Sequence, residues 1–139
     1  MAWLVLRFHY SEVMVFYSGG PDMQETYIRH SPCERCGACC AFFRVSVPTA
    51  ETNDAAGGLV PADMIFFSNS SQRCMKGTET TSPRCIALEG NVGVRVKCTI
   101  YENRPSTCRN FSLSWEHNIG NRLCDKARGV FGLQAFSQY

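Results

Sequence analysis

Cys33-Glu34-Arg35-Cys36-Gly37-Ala38-Cys39-Cys40 places four of the chain's nine cysteines within eight residues. Ligands that recur three residues apart let one turn or helix start aim several sulfurs at a common centre, which is the spacing of zinc knuckles and of many iron-sulfur loops. The octapeptide therefore reads as half of a metal site. Gly37, directly after Cys36, permits the positive φ of a knuckle turn, and there backbone N–H groups can face thiolate sulfur and offset its charge. Cys39 and Cys40 are adjacent, so their side chains diverge and can serve different centres.

A chain of 139 residues with 45% hydrophobic content can build a small core that would gain from metals or disulfides. Redox compartment decides between the two. The N-terminal run Trp3-Leu4-Val5-Leu6 is interrupted by Arg7 and His9 and has no secretory cleavage site after it, and no window reaches about 18 uninterrupted apolar residues. A cytoplasmic protein without membrane contact is expected. In that compartment thiols stay reduced, so dense cysteines point to metal rather than disulfides. The odd count of nine also argues against a fully paired framework. The formal charge of +2 does not argue for nucleic acid: eight thiolates on two divalent ions would bring it to about −2, and lysines and arginines form no dense run.

Residues 1–22 are aromatic and apolar, without a clear period, and end in Ser18-Gly19-Gly20-Pro21-Asp22. They are read either as an N-terminal extension or as sequence upstream of a true start at Met23, because Gly-Gly codons can carry a bacterial ribosome-binding sequence. Residues 23–139 are expected to form a single cysteine-cluster domain. Within it, Phe43–Pro48 alternates as a strand ending at proline, with Phe42 and Phe43 packed beside the metal loop. A loop covers 49–58, and a short helix is expected over Val60–Phe67 from Pro61.

Cys74 stands alone and reads as a buried small hydrophobe. Arg84–Leu88 and Val92–Cys98 flank Glu89-Gly90-Asn91 as a β-hairpin, which brings Cys85 and Cys98 together at its open end. Pro105 suits the first turn of a helix presenting Cys108, and Leu123–Gly129 reads as a short helix stopped by glycine. The fold class that follows is α+β: a small, irregular, metal-stabilised domain with a β-hairpin and short helices.

The combination of CERCGACC with RCIAL, CTIYENRPSTCRNF and CDKARG, from Pro32 to about Leu133, resembles the YkgJ family of cysteine-cluster proteins, described as zinc- or iron-chelating domains. The resemblance implies metal ligation by Cys33, Cys36, Cys39, Cys40, Cys85, Cys98, Cys108 and Cys124. It brings no established reaction. Arg104 and Arg109 flank Cys108 and can offset thiolate charge, or pair with Glu102 at the surface. His30 and His117 are the histidines nearest these segments, and with cysteines in surplus they are expected to play other roles.

Spacing does not choose the metal. C-x-x-C-x-x-C with a distant fourth cysteine resembles the bacterial ferredoxin arrangement of a 4Fe-4S cluster, although the close Cys-Pro ligand of that pattern is absent. Two closed four-cysteine zinc sites use more of the cysteines. The cofactor is thus zinc or iron, and the function is metal binding in a domain that also has room for a protein partner. An iron-sulfur oxidoreductase or electron carrier is the alternative. A thiol enzyme using Cys74, Cys39 or Cys40 is a third, but no Ser-His-Asp set, Cys-His pair, H-x-x-x-H helix or phosphate-cradling glycine loop defines a reaction.

Overall fold

A computed structural model describes residues 31–69 and 72–138; the readings of residues 1–22 and of His30 lie outside the described residues. The order is α1 (Pro32–Cys36), β1 (Ile65–Asn69), β2 (Gln72–Met75), β3 (Leu88–Asn91), β4 (Arg95–Cys98), α2 (Ser106–Arg109) and α3 (Arg122–Val130), joined by several single 3-10 turns. Two antiparallel pairs, β1–β2 and β3–β4, form separate two-stranded sheets. This is the α+β mixture of short elements expected, with a second hairpin added.

That second hairpin replaces an expected helix. Only Ala62–Met64 turns, as one 3-10 step after Pro61, and Ile65-Phe66-Phe67 then runs extended against Met75, Cys74 and Arg73. Local sequence allowed a helix, but β-branched and aromatic residues favour a strand once a partner strand is available, and Ile65 then enters the core while Phe66 and Phe67 stay exposed. Val45–Val47 lies beside β2 without becoming a full strand: Met75 N–H donates to the Val45 carbonyl at 2.9 Å and Val47 N–H to that of Arg73 at 3.0 Å. Val45, Val47, Val60, Ile65, Met75, Ala87 and Ile100 form the largest buried cluster, and Cys85, Cys98 and Cys108 pack against its edge.

The cysteine-bearing hairpin forms, with its turn displaced toward the C-terminus. Asn91 pairs with Arg95, so Val92-Gly93-Val94 is the loop and Gly93 supplies the left-handed φ of 77°. Val94 N–H donates to the Asn91 carbonyl at 3.1 Å, and the third residue of such a turn takes a positive φ that favours glycine. Gly90 instead lies within β3 opposite Val96, where an added Cβ would meet the Arg95 carbonyl oxygen.

The terminal helix likewise runs past the expected stop. Gly129 stays helical, and Gly132, at φ 68°, ends the segment while Leu133 N–H returns to the Arg128 carbonyl at 3.0 Å. A left-handed residue just beyond the last turn satisfies carbonyls that the helix leaves open. Among the described residues, no helix is long and apolar enough to cross a membrane.

Candidate metal centre

Local sequence explains how α1 presents its sulfurs. The Ser31 hydroxyl accepts from Cys33 N–H at 3.3 Å, Pro32 occupies the first turn, and Gly37 closes the helix in the left-handed region at φ 67°. Cys33 and Cys36 are three residues apart and so share a helix face. Gly37 is needed twice over, because any Cβ there would stand 2.8 Å from a Val96 methyl of β4. Immediately after, Cys39–Ala41 forms a 3-10 turn, in which successive side chains point about 120° apart. Cys39 and Cys40 therefore face different ways. Cys39 and Phe42 join a cluster around Cys36, Ala38 and Ala127, whereas Cys40 joins Ala41, Leu88, Val96 and Cys85.

The remaining sulfurs are delivered by well-tethered elements. Cys85 N–H donates to the Cys40 carbonyl at 2.8 Å, and Thr99 N–H reaches the Ala87 carbonyl at 2.9 Å, extending the β3–β4 ladder toward Cys85. Helix α2, which carries Cys108, is held at its start by the Glu51 carboxylate, which accepts from Ser106 N–H at 2.8 Å, and by Thr107 Oγ1 donating to the Ser46 carbonyl at 2.6 Å. Helix α3 is capped by Asn121, whose Oδ1 accepts from Leu123 N–H at 3.0 Å and Cys124 N–H at 3.4 Å. Asn121 is itself fixed through the hydroxyl of the fully buried Ser114, 2.9 Å from its N–H.

Two adjoining cavities collect these side chains. One of about 80 Å³ is lined by Cys33, Cys40, Cys85, Cys98 and Cys108, with Tyr101 and Arg104 beside them. A larger one of about 270 Å³ is lined by Cys33, Cys36, Cys39, Cys40, Cys108 and Cys124 together with Phe43 and Phe111. All nine cysteines are free thiols. Among the described residues, no three His, Cys, Asp or Glu side chains converge on one point fit for an ion. The thiols ring the cavities instead.

The electrostatics are those of thiols crowded in a desolvated setting. Burial, reinforced by Cys108, Cys85 and Cys98, pushes the Cys40 thiol up to about 12. Burial with Cys85 and Cys98 pushes Cys108 up to about 11, with Arg104 opposing. Burial with Cys124 as the leading neighbour raises Cys39 further. Burial also raises Cys85 and Cys98, opposed by backbone hydrogen bonds from Ala87 and Ile100 respectively, each two residues beyond its cysteine. Such amides favour the charged thiolate. Arg128 Nη1 donates to Cys36 Sγ at 3.1 Å, while its Nε donates to the Gln134 carbonyl at 2.7 Å and its guanidinium covers the Phe136 ring at 3.8 Å.

The eight predicted residues thus line the paired cavities, and Cys74 does not. It is fully buried in β2. Of the two arginines beside Cys108, Arg104 stacks on Tyr101 at 3.9 Å and acts on Cys98 and Cys108, whereas Arg109 acts on Glu51. His117 lies in an exposed turn that lines neither cysteine cavity. The sequence reading did not single out Arg128, Glu51 or Asn121. Arg128 had a signal, standing four residues after Cys124 on the same helix face, and Asn121 had one as a residue that favours the N-cap. Glu51 had none, because its partner is far away in sequence.

Thiol-lined cavities within short helices and hairpins make this a small, cysteine-rich α+β domain. Residues 32–125 match the CxxCxxCC family, described as "Putative zinc- or iron-chelating domain", and the chain belongs to that family. It is 52% identical over 103 residues to "Uncharacterized protein YkgJ" of Escherichia coli O157:H7, covering 74% of this chain and 94% of that one. It is also 45% identical over 96 residues to a "Putative ferredoxin" of Acinetobacter calcoaceticus, covering 69% of this chain and 70% of that protein. No solved structure matches.

Proposed function

We propose that this protein binds zinc or iron through Cys33, Cys36, Cys39, Cys40, Cys85, Cys98, Cys108 and Cys124, and that the bound metal ties its hairpin and helices together. The observation that carries the reading is that distant cysteines gather around shared cavities. Cysteines from α1 and its following turn, the β3–β4 hairpin, α2 and α3 line adjoining cavities, while Cys74 is used as core. The donor set fits the group: soft thiols suit zinc and iron-sulfur centres, the walls are apolar, and amides and arginines offset thiolate charge. A closed four-thiolate zinc site would be structural, whereas an iron-sulfur cluster would carry an electron.

A second reading, an iron-sulfur electron carrier, is favoured by one specific feature. Cys33, Cys36 and Cys39, with the distant Cys124, wall the roomier, aromatic-lined cavity of about 270 Å³, and that spacing is the one found in bacterial ferredoxins. The relative named a ferredoxin supports the same direction. Purification under strict anaerobiosis, followed by elemental analysis and a visible spectrum, separates the cases. Zinc in a colourless protein is the outcome for structural chelation. Iron with acid-labile sulfide and broad visible absorption is the outcome for the second reading. A folded chain without either metal would rule out both.

A further inference from the structure

We propose that the eight cysteines make two separate four-thiolate sites, Cys33, Cys36, Cys39 and Cys124 in the first and Cys40, Cys85, Cys98 and Cys108 in the second, divided at the Cys39–Cys40 peptide bond. The inference rests on the metal-binding reading and adds its number of sites and their ligand grouping. The dividing element is the 3-10 turn Cys39–Ala41, which sends adjacent side chains about 120° apart. That divergence lets Cys39 and Cys40 serve different centres.

Packing assigns the members on each side. Cys36 and Cys39 share a cluster with Ala127 of α3, and Cys124 lies one turn before Ala127 on that helix. Arg128, one residue beyond Ala127, donates to Cys36 Sγ at 3.1 Å. On the other side, Cys40 packs with Cys85, its carbonyl accepts from Cys85 N–H at 2.8 Å, and Cys85, Cys98 and Cys108 pack on the same core edge.

Cys33, Cys40 and Cys108 border both cavities, so the wall between them is thin. Backbone position and packing decide membership: Cys33 lies three residues before Cys36 on α1, Cys40 packs with Cys85, and Cys108 packs on the same core edge as Cys85 and Cys98.

The division also balances charge and repeats a known economy of ligands. Four thiolates on a divalent ion leave a net charge of about −2. Each site has one arginine against it, Arg128 at the first and Arg104 at the second. In two-cluster ferredoxins the last cysteine of the close run serves the other cluster. Cys40 does the same here, and Cys124 fills the place it leaves.

The test is an anaerobic cobalt(II) titration of the full chain freed of its own metal under reducing conditions. Tetrahedral thiolate cobalt gives intense sulfur-to-metal charge-transfer bands. The unmutated chain should saturate at about two equivalents, and Cys98→Ser and Cys124→Ser should each keep one with roughly half the intensity. Native mass spectrometry should show the same occupancies. Saturation of the unmutated chain at one equivalent overturns the proposal whatever the variants do. So does loss of all cobalt from either variant while its circular dichroism stays folded. Absence of thiolate cobalt from the unmutated chain would instead remove the metal-binding reading beneath it.

Discussion

The two proposed sets, Cys33, Cys36, Cys39 and Cys124 against Cys40, Cys85, Cys98 and Cys108, would do different structural work. The first draws three members from α1 and the adjoining turn and one from α3, a helix already capped by Asn121 and packed through Ala127. The second takes each member from a different place: the turn after α1, the loop before β3, the end of β4, and α2. Gathering distant segments removes more conformational freedom from the unfolded chain than gathering neighbours. The second set should hold the fold, and the first should be the more adjustable.

The largest expected effect follows from that contrast. Cys85→Ser should destabilise the metal-loaded protein by about 3–5 kcal/mol, since closing a long loop is worth roughly 4 kcal/mol, a large share of a typical domain's stability. Cys33→Ser, at the exposed member of the local set, should cost much less. Urea denaturation of both variants under anaerobic conditions measures the difference, and equal losses would erase the distinction.

Arg128 and Arg104 give the next effect. Removing a group that supports a metal's ligands commonly lowers affinity about 10- to 100-fold. Arg128→Gln should weaken the site containing Cys36, to which it donates at 3.1 Å, and Arg104→Gln the site containing Cys98 and Cys108. Competition against a chromophoric chelator reads each change. If either substitution weakens both sites alike, the pairing of one arginine with one set is wrong.

Cys74→Ser is the control for cysteine used as core. A hydroxyl at this fully buried position should cost about 1–3 kcal/mol if it finds no partner, with metal content unchanged. A fall in metal content by elemental analysis would instead place Cys74 among the ligands.

Glu51 supplies the smallest effect. Hydrogen bonding from Ser106 holds its carboxyl below its ordinary value of 4.5. Its contribution is therefore present above the ordinary carboxylate range and is lost as pH falls through the lowered folded value. Glu51→Gln should be slightly less stable than the parent at neutral pH, and the gap should close in acid, since protonation removes the same charge from the parent. Paired thermal melts from neutral to acidic pH test it; a gap that persists in acid would contradict it.

How much could be read beforehand follows the same local and non-local contrast. Spacing within CERCGACC, proline before Cys108 and the apolar stretches around Gly90 were enough to place α1, α2 and the β3–β4 hairpin near their observed positions. Ile65-Phe66-Phe67 misled because short apolar runs suit either helix or strand, and only the partner strand Gln72–Met75 decides. Gly129 misled because a helix can absorb one glycine at a cost of about 1 kcal/mol when Gly132 offers a better exit. The resemblance supplied the eight cysteines. It did not supply Arg128, Glu51 or Asn121, whose roles rest on contacts made by the folded chain.

If metal bound by these cysteines holds the fold together, far-UV circular dichroism and bound metal should fall in parallel as chelator is added anaerobically. Ellipticity should be lost cooperatively as the metal leaves and return when metal is restored. An unchanged spectrum after verified removal of all metal would contradict it.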